Sequence, residues 1–314
     1  MSALRRLGIN PQVQQIHQQQ SASQAQTESA FAYKWAKRET YESEKVKSKA
    51  LAWMMERYCG NDASLLGGWL GDGGKIILDA GCGSGFSGML FFNKHLLHND
   101  YLGVDISSSV DVAKERFAEA GYPGDFLQCG LNTIPAPPNS VDIIFSEGVL
   151  HHTDSTARSV ADLTGLLRPD GLFLFYVYRK KAVIREFCDD HIRRTLQNLS
   201  DEEAWKALES LTRLGQSLGT LCTEIDVPED IPYLGIKKGK LDLQRFFYWN
   251  IFKAYYDPDF TLAEMNHINY DWYRPLNCHR HTSEEVKQFC GNAGLSIERF
   301  YEDEAGITVV ARKG

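Results

Sequence analysis

The stretch Lys75-Ile-Ile-Leu-Asp79-Ala-Gly81-Cys-Gly83-Ser-Gly85-Phe-Ser-Gly88 decides the fold. Its apolar run, 76–78, predicts a buried parallel strand. Three glycines follow at once, and the apolar residues 89–92 can begin a crossover helix. Strand, glycine turn and helix in this order build a ligand crevice at the carboxyl edge of a doubly wound sheet. Glycine lets the backbone approach a ligand closely, and the helix start offers N–H groups with no partner in the helix. The dinucleotide fingerprint is G-x-G-x-x-G. Here the set is Gly81-x-Gly83-x-Gly85, with an acid, Asp79, beside it. A carboxylate at that point repels a pyrophosphate and suits an ammonium or a sulfonium.

The run Leu-Asp79-Ala-Gly-Cys-Gly-Ser-Gly85 closely resembles the first motif of class I S-adenosylmethionine (SAM) methyltransferases. That resemblance implies an α/β fold: a doubly wound, Rossmann-like, seven-stranded sheet with an antiparallel terminal hairpin. It also implies SAM as cofactor, with Asp79, Gly81, Cys82, Gly83 and Gly85 among its contacts. Tyr101-Leu-Gly-Val-Asp105-Ile106 reads as a second strand ending in an acid, 26 residues after Asp79. An acid there can accept both ribose hydroxyls, with Ile106 alongside. The segment 125–129 reads as the third strand. Related enzymes usually place an Asp about where Gly130 stands, to accept from the adenine amino group. This chain has Gly130-Leu131-Asn132, so the Leu131 backbone N–H or the Asn132 side chain is the expected substitute.

The fourth strand, 141–146, leads into Glu147-Gly-Val-Leu-His151-His152. This resembles the Leu-His-His segment of the ubiquinone and menaquinone biosynthetic methyltransferases, whose residues here sit beside the transferred methyl. Leu-Arg-Pro-Asp170-Gly-Leu-Phe is similar to the family's Leu-x-Pro-Gly-Gly turn, with Asp170 in place of a glycine. The resemblance is strong over residues 75–180 and fades over the next hundred.

Four regions are expected. Residues 1–60 form an N-terminal arm and a lid helix. Eight glutamines between Gln12 and Gln26 predict a mobile arm or a frayed helix. Tyr33 and Trp35 precede a helix over 41–58, where they either close over the cofactor or simply pack on the sheet. Residues 61–180 form the SAM-binding core. Residues 181–280 are too long for a loop and read as a helical cap for acceptor binding, with helices over 183–199, 201–218 and 241–256. The charges of 185–194 read as a solvated or interhelical face. The stretch 270–281 must return to the sheet, which makes Tyr273, Arg274, His279 and His281 candidate acceptor contacts. Arg274 would suit a carboxylate or phosphate; alternatively it pairs with Asp271 while the histidines hold backbone groups. Residues 281–314 hold the last helix, opened by the capping box Thr282-Ser-Glu-Glu285, and the terminal hairpin.

Composition bounds the function. The 314 residues carry a net charge of −7, so the body is not built to attract nucleic acid. Residues 1–60 alone carry 9 Lys and Arg against 5 Asp and Glu, a charge of +4. No apolar run approaches the roughly 20 residues of a membrane span. Seven cysteines without a C-x-x-C pair fit reduced thiols in a cytoplasm, and no signal peptide is read. No metal-ligand spacing is present. Methyl transfer needs positioning, water exclusion and, for some acceptors, a base. Glu147, His151 and His281 are the candidate bases, with His152 and His279 beside them. The expected activity is transfer of a methyl group from SAM to a small-molecule acceptor, with O-methylation ahead of N- and C-methylation. An RNA or protein methyltransferase, a non-catalytic SAM-binding protein and a nicotinamide dehydrogenase are the alternatives. Homo-oligomerisation is left open.

Overall fold

A computed structural model describes residues 2–314. The chain divides into two compact units. One comprises residues 1–36, 47–179 and 277–314; the other comprises 37–46 and 180–276.

The first unit is built on a seven-stranded sheet. Its seven strands are β1 (Ile76–Ala80), β2 (Asp100–Asp105), β3 (Asp125–Gln128), β4 (Val141–Glu147), β5 (Leu167–Tyr178), β8 (Leu295–Glu302) and β9 (Gly306–Lys313). They form one sheet in the order β3-β2-β1-β4-β5-β9-β8. β1 to β5 run parallel, and β9 lies antiparallel to both β5 and β8. The doubly wound sheet and antiparallel ending expected from the sequence are both present. The two faces are covered, so the central strands are apolar on both sides. Leu78, Val104, Ile144 and Phe175 enter one core, while Ile77, Ile143, Phe145 and Leu174 enter the other. Asp170 has φ +61, the left-handed conformation in which Asp is among the better-tolerated residues. That is why it can stand where the similar turn has glycine. Thr282 caps the helix Ser283–Asn292 with a full capping box, as its spacing predicts.

The N-terminal arm departs from expectation. It is neither free nor frayed: Ala3, Leu4, Leu7 and Ile9 are buried in the sheet's core, and Arg6 pairs with Asp100. Beyond them the Gln128 N–H donates to the Gln14 carbonyl and the Ile16 N–H to the Gln128 carbonyl, both at 2.9 Å. Residues Ala22–Trp35 then form a helix capped by Ser21.

The second unit holds the helices Val183–Leu196, Asp201–Thr220, Leu243–Asn250 and Leu262–Tyr273, and the hairpin of β6 (Glu224–Val227) and β7 (Gly239–Asp242). The helix Leu262–Tyr273 was not expected as such. Its start is fixed by a capping box of Thr261 and Glu264, and it stops just before Pro275, whose ring disfavours helix in the preceding residue. The unit's centre is polar. Asp189 accepts from Arg185 Nε at 2.6 Å, Trp272 Nε1 at 2.8 Å and the Tyr273 hydroxyl at 2.6 Å. The charges of the first cap helix are thus divided: Arg185, Asp189 and Arg193 are buried, while Arg194 is exposed. The short segment 37–46 belongs here through Thr40, whose hydroxyl meets His267 Nδ1 at 2.8 Å, and through the ion pair of Lys45 with Asp259. Among the described residues, no helix is long and apolar enough to cross a membrane.

Candidate functional site

The carboxyl ends of β1, β2 and β4 bring the predicted loop and three carboxylates together. Gly81, Gly83 and Gly85 have φ of +87, +52 and +70, a region open to glycine and costly to other residues. The Gly81 and Cys82 N–H groups both donate to the Val104 carbonyl at 2.8 Å, which ties the loop to β2. Gly83 has a second reason to be glycine: a Cβ there would lie 2.5 Å from Trp35 Nε1. Trp35, at the end of helix Ala22–Trp35, therefore rests directly on the loop, with the Lys34 ammonium 3.9 Å from its ring centroid. Tyr33, on the same helix, is half-buried. Cys82 is buried, and burial pushes its thiol far above the usual range.

Asp105 closes the loop from the other side. Its Oδ2 accepts from the Gly83 N–H at 2.9 Å, and its Oδ1 accepts from both the N–H and the hydroxyl of Ser107. Each carboxylate oxygen offers about two acceptor sites. Oδ1 is filled and Oδ2 keeps one position, so the carboxylate as it stands has room for one further donor instead of the two expected. Ile106 is half-buried, and its carbonyl accepts from Gln128 Nε2. Leu131 packs against the core, and Asn132 is exposed on the loop after β3.

Asp79 lies one residue from the end of β1, almost fully buried, and accepts from the Tyr101 hydroxyl at 2.5 Å. Burial raises its carboxyl to about 7 against the lowering effect of the Tyr101 hydrogen bond. Glu147 ends β4 and accepts from the Tyr58 hydroxyl at 2.5 Å. Burial raises it to about 8, opposed by Tyr58 and by the Arg57 guanidinium. Asp105 is raised for the same reason, and the donors of Ser107 and Gly83 oppose the rise. Beside Glu147, Gly148 has φ +74 and nothing within 4 Å of where a Cβ would stand. Carboxylates held above their usual range suit a cation, which would restore their charge.

The chain's likeness to known proteins agrees with the sheet order and this loop. Residues 78–175 match a family described as a methyltransferase domain. Over these residues, under a third of its length, the chain is similar to SAM-dependent methyltransferase domains. Among curated relatives, the tRNA U34 carboxymethyltransferase of Methylococcus capsulatus is 31% identical over 100 residues, 31% of this chain and 30% of that protein. The tRNA (carboxymethyluridine(34)-5-O)-methyltransferase of Macaca fascicularis is 35% identical over 149 residues, 46% of this chain and 20% of its own length. The malonyl-[acyl-carrier protein] O-methyltransferase of Yersinia pestis is 30% identical over 105 residues, 32% of this chain and 36% of its own. The chain thus spans only about a fifth to a third of the length of these relatives.

The residues present in the methyltransferase domain fit SAM. The glycine loop packs closely under Val149 and Trp35, and the carboxylates Asp79, Asp105 and Glu147 match a ligand bearing a sulfonium, an ammonium and ribose hydroxyls.

Of the predicted bases Glu147 stands at this site, while the histidines and the predicted acceptor residues are engaged in other contacts. His151 has no exposed surface; its ring lies 3.7 Å from that of Tyr178 and 4.2 Å from that of His152. His152 Nδ1 meets the Asn277 carbonyl at 2.6 Å. His279 Nε2 meets the Thr153 carbonyl at 3.0 Å, and His281 Nε2 meets the Thr156 hydroxyl at 2.9 Å. The His279 and His281 N–H groups donate to the carbonyls of His151 and Tyr178. These histidines fasten the stretch 277–281 to the segment after β4 and the end of β5. Tyr273 and Arg274 belong to the polar interior of the second unit, which corrects their reading as acceptor contacts. Tyr273 is fully buried against Asp189. Arg274 pairs with Asp201 at 2.7 Å, not with Asp271, and donates to the Leu196 and Leu199 carbonyls. The sequence reading missed Tyr58: nothing in its helical spacing marks a hydroxyl that meets a carboxylate 89 positions later.

Proposed function

We propose that the chain is a SAM-dependent methyltransferase that O-methylates a small acidic acceptor. The observation that carries this reading is the glycine loop bounded by Asp79, Asp105 and Glu147 at the carboxyl ends of β1, β2 and β4. When bound, SAM supplies an electrophilic methyl on its sulfonium. The chain's own residues hold and screen it. The loop lies beside the ligand, Asp105 Oδ2 accepts from the ribose, and Glu147 balances positive charge. Trp35 excludes water from above Gly83. The acceptor is inferred from the bases. His151 is enclosed, His281 is engaged with Thr156, and Glu147 is engaged with the Tyr58 hydroxyl. An oxygen that is ionised without help, a carboxylate or an acidic phenol, therefore suits this domain better than an alcohol. Two relatives are named as O-methyltransferases, which supports oxygen as the target. Residues 180–276, where the resemblance ends, are assigned to acceptor selection. The net charge of −7 disfavours RNA despite the tRNA enzymes among the relatives.

The test is label transfer from methyl-labelled SAM by the full chain to three pools: small carboxylic acids and phenols, total RNA, and protein. Label in the small-molecule pool is the expected result. Label in RNA alone would replace the small-molecule reading. Tight S-adenosylhomocysteine (SAH) binding with no transfer to any pool would make the chain a binding protein.

A further inference from the structure

Gly130 follows β3, and a Cβ placed on it would lie 2.0 Å from Gln18 Nε2 and 2.5 Å from Gln18 Oε1. No side chain at position 130 can coexist with Gln18 where it stands. The carboxamide occupies the very place at which an acid was expected. It is held there from two sides. The arm adds a short parallel bridge to the sheet edge, Gln15 opposite Gln128, and Val13 and Ile16 pack against the core. The Thr133 hydroxyl lies 3.1 Å from Gln18 Oε1 and 3.1 Å from the Gly130 carbonyl, which keeps the amide beside Gly130. The arm's glutamine-rich composition thus hides one glutamine with a built position.

Sheet order tells what that position faces. Along the carboxyl edge the sequence of features is the glycine loop after β1, Asp105 at the end of β2, and Gly130 beyond β3. The Cys129 N–H donates to the Asp105 carbonyl at 2.8 Å, so the last two are adjacent. A nucleoside whose ribose is held by Asp105 and whose amino-acid end lies toward β1 and β4 must direct its base outward, one strand spacing of about 4.8 Å, to β3. A carboxamide is the side chain that pairs with adenine in two bonds, its oxygen accepting from the 6-amino group and its nitrogen donating to a ring nitrogen.

We propose that Gln18, supplied by the N-terminal arm, reads the adenine of the cofactor and replaces the acid missing from position 130. This rests on the SAM reading above. It makes the arm part of the cofactor site.

The test is calorimetric titration of the full chain with SAH and with its analogue carrying hydrogen in place of the 6-amino group. For the wild type, one lost hydrogen bond should weaken the analogue about tenfold. Gln18→Ala should bind SAH about 10- to 30-fold more weakly and treat the two ligands alike to within about twofold. Gln18→Glu keeps an acceptor of the same shape and should keep a preference for the amino form; it carries the test should the alanine variant disturb the arm. A merely structural role would lower the melting midpoint of Gln18→Ala without touching base discrimination. Wild-type affinity and discrimination in Gln18→Ala would overturn the assignment and leave the cofactor reading standing. A wild type that binds SAH tightly but ignores the amino group would do the same. A wild type that binds no SAH would overturn both.

Discussion

If Glu147 balances positive charge on the cofactor, binding must expel a proton. Its carboxyl, pushed up to about 8 by burial, holds about 0.9 of a proton at pH 7. An opposite charge brought close lowers a carboxyl by one to three units. A fall of about two units would leave about 0.1 of a proton, so Glu147 should release about 0.8 on binding SAM at pH 7. The sign follows from the direction of the shift: the free protein holds the proton and the complex does not. Release should therefore fade above the free-state value and be almost gone at about pH 9. Asp79, at about 7, can add up to about 0.5 of a proton, so the comparison must be with Glu147→Gln, which still accepts from Tyr58. The assay is calorimetry at one pH in buffers of different ionisation enthalpy; the slope of the observed enthalpy gives the proton count. Equal counts for the wild type and Glu147→Gln would refute the argument, as would a release that does not change between pH 7 and 9.

Three substitutions probe the rest. Gly83→Val forces a branched side chain to φ +52, costing about 1–2 kcal/mol, and drives it into Trp35; the variant should stay folded and lose SAH binding, and normal binding by a folded variant would contradict the loop's role. Asp105→Ala should weaken SAH by about 1.5–3 kcal/mol, the range for hydrogen bonds to a charged group, and an unchanged calorimetric affinity would remove Asp105 from the site. Arg274→Ala leaves Asp201 short of its buried cation and should cost about 3–5 kcal/mol of stability in the second unit, read by denaturant unfolding. Unchanged stability together with a raised acceptor KM would return Arg274 to the acceptor.

The parallel core was legible because its signals are local. The apolar residues 76–78 and 143–145 are each flanked by an Asp, and Asp79, Gly83 and Asp105 take their places within a few residues of a strand end. What failed was long-range. Arg274 finds Asp201, 73 positions back, and no spacing rule distinguishes that partner from nearby Asp271. Tyr273 looked like part of a returning loop because Pro275 follows it, yet the helix runs up to that proline before stopping. The apolar residues Ala3, Leu4, Leu7 and Ile9 were overshadowed by the glutamines after them, although four buried side chains suffice to anchor an arm. The histidines were read by residue type; their burial and partners depend on the return of 277–281, which only the assembled fold reveals.

The second unit takes its chain from two places, 37–46 and 180–276. On the ribosome the first of these emerges early and must wait while about 130 further residues are made, roughly 7 to 27 s at typical elongation rates. Thr40 and Lys45 meet His267 and Asp259 only after that interval. The same split governs engineering. A graft cut at 180 and 276 would carry a foreign insertion against a native clip, with those two contacts mismatched. Exchange of this unit for another therefore calls for transplanting both segments at once, and single-segment chimaeras are expected to misfold in the transplanted part.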